Sequence, residues 1–313
     1  MKYNEKIFVA GHNGMVGSSI VRTLRKNGYN NIFTFNKNRL DLRDSDSVYR
    51  LFDEYNFDYV FLAAASVGGI SVNQNYKASM IYNNLTIQTN VIHNSFISGV
   101  KKLLFLGSSC IYPKFAEQPI KEDYFLSGKL EETNDAYAIA KIAGIKMCQS
   151  YSEQYGFNAI SLMPANLYGP GDNFNLNTSH VLPATLNKIH HAKLNNKSTV
   201  NCWGTGEPKR EFLYVDDLSD ACLFLMNNYD SSEIINVGVG YDISIKELVY
   251  TISDFIKYKG DIVWDLTKPD GTPRKLLDVT KITNLGWKSK TDMRSGLEKT
   301  YESYLKYLKQ NIN

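Results

Sequence analysis

The sequence predicts an α/β fold built on a doubly wound parallel sheet. Short apolar runs without polar alternation recur at 6–10, 59–65, 101–107 and 159–163, as in strands buried on both faces. Segments of helical period lie between them. A glycine-rich turn joins the first run directly to the first helical segment. Repeated β–α units of this length imply right-handed crossovers and one wound sheet.

Residues 6–10 (KIFVA) form the first strand. Residues 15–26 place Val16, Ile20, Val21 and Leu24 at helical spacing. A strand at 31–35 (NIFTF) precedes a helix at 44–55, where Val48, Leu51 and Phe52 share a face. The continuous apolar strand 59–65 (YVFLAAA) leads to a long helix at 76–97. The strand 101–107 (KKLLFLG), a second long helix at 135–155 and a strand at 159–163 follow. After Pro164 the pattern loosens. Residues 166–178 (NLYGPGDNFNLNT) read as a Gly/Asn-rich loop and 180–193 as a helix. Later come elements at 200–203 and 211–215, a helix at 217–227, a strand at 234–237 and a helix at 245–256. A loop at 268–275 (KPDGTPRK) and an amphipathic helix at 293–308 complete the chain. The expected organisation is a nucleotide-binding domain over 1–165, rejoined by later strands. A smaller α/β substrate-binding lobe occupies mainly 166–313.

At 313 residues, 43% apolar and 21% charged, the chain holds a sizeable core and is not disordered. Its net charge of +3 is too small to argue for nucleic acid or a membrane surface, and its cations alternate with acids. Cys110, Cys148, Cys202 and Cys222 are widely spaced without a CxxC pair. That excludes a disulfide framework or zinc ribbon, and no metal is expected. Without a signal-type apolar stretch or a membrane-length span, the expectation is a soluble cytoplasmic protein.

Gly11, Gly14 and Gly17 follow the first strand and open the first helix. Such glycines allow a tight turn and close backbone approach, and the helix N-terminus offers N–H groups to a pyrophosphate. This Rossmann-like turn includes Asn13, Met15 and Val16. After the second strand no acid occurs before Asp41, whereas Lys37 and Arg39 are close. A basic group there accepts a 2′-phosphate, so NADP(H) is favoured over NAD(H).

Tyr137 and Lys141 share a helix face at i and i+4. They follow Thr133, Asn134 and Asp135, residues suited to a helix N-cap. The strand before them ends in Ser108, Ser109 and Cys110, at the carboxyl edge where wound sheets place chemistry. Ketone reduction leaves an alkoxide that must gain a proton. A phenol of pKa about 10 does this well only beside a cation that favours phenolate. Ser108 is placed to hold the ketone oxygen.

The GxxGxxG spacing and the Ser–Tyr–Lys set resemble the extended short-chain dehydrogenase/reductases. Longer words narrow this: GHNGMVGSSI, LAAASVGGI, KKLLFLGSSCIYPK, YAIAKIAGIKMC, MPANLYGPGDNF, SHVLPA, WGTGEPKREFLYVDD and KPDGTPRKLLDV. Through nearly the whole chain they resemble the GDP-L-fucose synthase family, which are 3,5-epimerase/4-reductases. The resemblance implies that Cys110 and His180 are the epimerisation acid/base pair. Their ordinary pKa values of about 8.5 and 6.5 straddle neutrality. It implies adenine contacts at Asp41 and Leu42, a close strand crossing at Ala63, Ala64 and Ala65, and further cofactor contacts at Tyr137, Lys141, Pro164, Asn166, Leu167 and His180. For the GDP-sugar it implies Asn166, Lys188, Trp203, Arg210, Lys268 and Asp278. It also implies a homodimer paired through the helices at 76–97 and 136–155.

One departure concerns the cofactor. The family commonly has an arginine where Asn13 stands, and a second where Phe35 or Asn36 falls. Lys37 is the remaining cation. Two rivals complete the reading. One is a C4-reductase acting on a GDP-4-keto-heptose already epimerised by another enzyme. The other is a nucleotide-sensing binding protein, against which the intact Ser108, Tyr137 and Lys141 set argues.

Overall fold

The computed structural model describes residues 1–176, 178–268 and 270–311. Asn177 and Pro269, in two of the expected loops, lie outside the described residues. The first half runs β1 (Ile7–Ala10), α1 (Met15–Lys26), β2 (Ile32–Phe33), α2 (Ser45–Tyr55), β3 (Tyr59–Leu62), α3 (Ile70–Asn75), α4 (Lys77–Ile97), β4 (Lys102–Leu106), α5 (Asp135–Tyr155) and β5 (Ala159–Pro164). The second half runs β6 (Asn166–Tyr168), α6 (Val181–Leu194), β7 (Thr199–Trp203), β8 (Lys209–Arg210), β9 (Phe212–Tyr214), α7 (Val215–Asn228) and β10 (Ile235–Val237). It ends with β11 (Ile243–Ser244), α8 (Ile245–Ile256), β12 (Asp261–Asp265), β13 (Arg274–Lys275), α9 (Thr280–Asn284) and α10 (Met293–Asn311).

The central sheet has the order β10-β5-β4-β3-β1-β2, with every pairing parallel. Strands β1, β4 and β5 are buried along their whole length, as expected for a sheet covered on both faces. The order reverses between β1 and β3, so their carboxyl ends open a crevice where such sheets bind ligands. Across it, α4 and α5 lie side by side. Gly144 on α5 leaves no room for a Cβ between Phe105 and Gln88, and Gln88 Nε2 donates to the Ala140 carbonyl at 2.6 Å. That contact fixes the turn of α5 that carries Lys141.

A second apolar cluster joins Tyr168, Leu186, Phe212, Leu248, Leu297 and Tyr304 from β6, α6, β9, α8 and α10. Helix α7 and strand β10, although late in the chain, pack into the first cluster with the central sheet.

Several elements differ from the expected ones. The strand at 31–35 shortens to Ile32–Phe33 because Phe35 turns away to pack on Phe8 and Tyr55. The expected loop at 166–178 contains β6, which forms when it pairs in parallel with β9. The expected loop at 268–275 ends in β13, paired in parallel with β8. Asn134 sits at the N-cap of α5, yet its side chain does not cap the helix.

Glu211 ties these late pieces together. It is fully buried. Its Oε1 accepts from Val239 N at 2.6 Å and Gly240 N at 2.8 Å, and its Oε2 from Leu277 N at 2.9 Å. Burial raises its pKa, and the three donated N–H groups oppose that rise. Replacing Glu211 with Leu strands three buried donors, each costing at least about 1 kcal/mol. Differential scanning calorimetry of Glu211→Leu is expected to show a loss of about 3 kcal/mol or more. Glu211→Gln retains one acceptor oxygen and loses less.

Candidate active site

The crevice is a cleft of about 820 Å³. The glycine turn of 11–17, Lys37, Asp41, Leu42, Ala63, Ala65, Ser108, Cys110, Tyr137, Lys141, Pro164, Asn166, Leu167 and His180 all line it.

At one end, Gly11 has φ +90°, and a Cβ there would come within 2.6 Å of Ala64 N. A Cβ at Gly17 would overlap the Gly11 carbonyl. Side chains at either glycine would fill the cradle in front of α1. That helix has no side-chain cap and no acid in its first turn, so its N–H groups remain open to a phosphate. The residues therefore fit a dinucleotide. Beside them, Asn36 Oδ1 accepts from Asn13 Nδ2 at 3.0 Å and from His12 Nε2 at 3.1 Å. Neutral groups thus stand where the resembled family has arginine. Lys37 lines the cleft, but Arg39 does not. Arg39 lies over the Phe35 ring and donates to Tyr55 OH. Arg43 binds the Asp41 carboxylate at 2.6 Å and holds its pKa down at about 2.

At the other end, β4 runs into Gly107 and a tight turn. Ser108 Oγ accepts from Cys110 N at 3.3 Å, and a single helical turn at Ser109–Ile111 carries the thiol into the cleft. All four cysteines are free and buried. Burial pushes the Cys110 thiol up, against a smaller pull from Lys275. His180 is the N-cap residue of α6, but its side chain does not cap the helix. The residue is exposed overall, but desolvation by the surrounding cleft atoms and then Lys275 push its imidazole down. Both shifts favour the neutral form, leaving a thiol with a proton to give and an imidazole with a lone pair to accept one.

Tyr137 and Lys141 occupy adjacent turns of α5. Burial raises the phenol well above its ordinary value. Lys141 is buried, donates from Nζ to the Leu106 carbonyl at 2.7 Å and lies 5.7 Å from the Tyr137 ring centroid. Burial pushes it down to about 8. Below that pH it is an ammonium that favours phenolate; above it, this support is lost. The single-turnover rate of ketone reduction is therefore expected to fall above pH 8, approaching tenfold per unit. Lys141→Met removes this limb and lowers the plateau by at least about a hundredfold. Stopped-flow NADPH oxidation across pH 6–10 measures both.

Of the residues expected to hold the GDP-sugar, Lys188, Trp203, Arg210, Lys268 and Asp278 lie outside the cleft lining and Asn166 within it. Lys188 Nζ and Lys268 Nζ stand 5.6 and 5.8 Å from the Trp203 ring, and Trp203 is 67% exposed. Asn166 lines the cleft and donates to the Glu211 carbonyl at 2.9 Å. Asp278 is not brought near the others. Its carboxylate accepts from Thr280 N at 2.8 Å at the start of α9.

The expected ligands did not include Lys275, which the sequence left open between a solvated loop charge and a ligand; it lines the cleft and is half-buried there. Strand β13 sets it opposite Arg210, while its neighbour Arg274 turns outward to Asp242 at 2.6 Å. Strand alternation across 274–275 was the available signal. Asp172 was also missed. It lines the cleft, and burial pushes its carboxyl up to about 7. Among the described residues, no group of three or more His, Cys, Asp or Glu is placed to hold a metal ion.

Residues 7–238 match the family model described as the NAD dependent epimerase/dehydratase family. The chain is 54% identical to GDP-L-fucose synthase 1 of Arabidopsis thaliana over 301 residues, covering 96% of this chain and 93% of that one. Among solved structures it is similar to a GDP-6-OMe-4-keto-L-xylo-heptose reductase from C. jejuni, with TM-score 0.94, 39% identity, and 98% and 99% of the two chains covered. It is also similar to a GDP-L-fucose synthetase from Naegleria fowleri bound to NADP, with TM-score 0.92, 30% identity, and 99% and 95% covered. With the family model and the whole-length identity in agreement, the chain belongs to the GDP-L-fucose synthase branch of the NAD dependent epimerase/dehydratase family.

Proposed function

We propose that this enzyme is a GDP-4-keto-6-deoxy-sugar 3,5-epimerase/4-reductase, making GDP-L-fucose or a related GDP-sugar. One observation carries the reading: Cys110 and His180 line the same cleft as Ser108, Tyr137 and Lys141. The C4 ketone acidifies C3–H and C5–H. Inverting either carbon means removing a proton from one face and returning one to the other. Cys110 and His180, neutral together, provide one donor and one acceptor. Bound NADPH supplies the reducing equivalent that C4 receives. Ser108 holds the carbonyl oxygen, Tyr137 gives it a proton, and the Lys141 ammonium stabilises the phenolate left behind. Arg210 and Lys188, joined by Lys275, bind the GDP diphosphate, and Trp203 with Lys268 covers the adjoining end. On this reading 1–165 and its returning strands hold the cofactor, and the later lobe holds GDP.

NADP(H) is the proposed cofactor, with Lys37 its 2′-phosphate partner. Fluorescence titration is expected to give tighter binding of NADPH than NADH. Lys37→Ala should weaken NADPH roughly tenfold, as for one charge-assisted hydrogen bond, and leave NADH unchanged. Equal weakening of both overturns this role. The exposed Tyr82, Ile97, Ile139 and Tyr155 on α4 and α5 support pairing with a second copy. No helix among the described residues is long and apolar enough to cross a membrane, and four free thiols fit the reducing cytoplasm.

The likeness to a heptose C4-reductase supplies a second reading, reduction alone. NADPH oxidation with GDP-4-keto-6-deoxymannose and with its heptose counterpart separates the two. We expect kcat/KM to favour the 6-deoxyhexose at least about tenfold. The opposite preference supports the second reading.

A further inference from the structure

The proposed reaction uses Ser108, Cys110, Tyr137, Lys141 and His180. A polar group on the same cleft wall is left unexplained. Asn73, on α3, is only 9% exposed. Its Nδ2 donates to Asn134 Oδ1 at 2.7 Å, while its Oδ1 is buried with no partner. Reversing the amide leaves the other polar atom equally unpaired. Such an atom is destabilising unless something completes it.

The arrangement is built rather than incidental. Asn134 occupies the N-cap of α5, where its side chain would ordinarily bond the helix's own N–H groups. It is drawn to Asn73 instead and does not cap. Lys77 reinforces the link, pairing with Asp135 at 2.9 Å and with the Glu132 carbonyl at 2.8 Å. On the other side, Gly69 N donates to the Thr178 carbonyl at 3.0 Å. A Cβ at Gly69 would come within 2.9 Å of the Ser179 carbonyl oxygen. The Asn73 segment is thereby held against the residues preceding His180. Ser179 Oγ is likewise buried without a partner. Asn73, Asn134 and Ser179 all line the cleft with Tyr137 and His180.

An acceptor on Asn73 and a donor on Asn134, side by side, complement a hydroxyl, which both donates and accepts. The sugar ring offers few candidates. C1 carries the diphosphate, C4 is the ketone, and C3 and C5 are inverted. The C2 hydroxyl alone sits on a ring carbon that keeps its bonds and configuration. We propose that Asn73 and Asn134 are substrate-binding residues that grip this C2 hydroxyl. Asn73 Oδ1 accepts its proton and Asn134 Nδ2 donates to its oxygen. With the diphosphate held at the other end, the grip anchors the ring while C3 and C5 change. This rests on the epimerase/reductase reading above.

The test crosses two substrates with two enzymes: GDP-4-keto-6-deoxymannose and its 2-deoxy analogue, against wild type and Asn73→Ala. Wild type is expected to lose at least about tenfold in kcat/KM on the 2-deoxy analogue. Asn73→Ala is expected to lose a similar factor on the parent substrate and almost none on the analogue. Its NADPH affinity and melting temperature should stay near wild type. Equal losses for Asn73→Ala on both substrates mean a merely structural role and overturn the proposal. So does weakened NADPH binding as the main effect. If Asn73→Ala does not fold, the wild-type comparison still decides, because equal turnover of both substrates overturns the grip. Failure of the wild type on the parent substrate overturns the function itself, and this inference with it.

Discussion

Cys110→Ser is expected to stop inversion of C3 and C5 of GDP-4-keto-6-deoxymannose, and the deuterium entry from D2O that accompanies it, while NADPH binding stays unchanged. The expectation follows from chemistry and placement together. Carbon acids beside a ketone exchange only when a group of suitable pKa reaches them. A serine hydroxyl in the same enclosed turn is far too weak an acid or base to replace the thiol near neutrality. The loss in exchange should therefore be at least about a thousandfold, within the usual range for a positioned proton carrier. The variant keeps the hydrogen bond that the backbone N–H of residue 110 donates to Ser108 Oγ, which uses no side-chain atom of residue 110, so the turn itself should persist. Proton NMR in D2O measures the exchange without NADPH, which isolates it from reduction. Exchange at the wild-type rate would remove Cys110 from the chemistry.

Tyr137→Phe is expected to show the reverse. Solvent exchange at the ring carbons continues, and hydride transfer falls by about a hundred- to ten-thousandfold. Only the hydroxyl is removed, and the ring still fills its place beside Lys141. The alkoxide formed by reduction then has lost its proton donor, while Lys141 stays bonded to the Leu106 carbonyl. Stopped-flow NADPH oxidation gives the rate, and exchange NMR on the same sample gives the control. A variant that loses both activities equally would mean Tyr137 shapes the site rather than carrying the proton.

These two predictions dissect functions whose residues were mostly legible beforehand. Strands β1, β3, β4 and β5 were readable because a strand buried on both faces is apolar throughout, and glycine punctuates its end. The cleft residues followed, because a wound sheet places its carboxyl edge at one site. The less readable parts are made by long-range pairing. β8 and β13 have two residues each, too few to carry a period. They exist because Lys209 and Arg210 meet Arg274 and Lys275 across the chain. That pairing turns Lys275 from an apparent loop charge into a half-buried cation on the cleft wall. Arg39 stands one short step from Lys37 in sequence, yet the Phe35 ring and the Tyr55 hydroxyl hold it off the cleft lining. Asp278 carries no sequence signal that separates a helix-starting carboxylate from a ligand, and its carboxylate accepts from Thr280 N at the start of α9. Asn73 gave no signal at all, because a polar residue in a six-residue helix reads as surface.

The central claim is that one cleft both epimerises and reduces. The most direct measurement is the product formed by the wild-type enzyme from GDP-4-keto-6-deoxymannose and NADPH in D2O, resolved by NMR. The expected product is GDP-L-fucose with deuterium at C3 and C5 and protium at C4. A reduced sugar of unchanged configuration, with C3 and C5 still carrying protium, would contradict it.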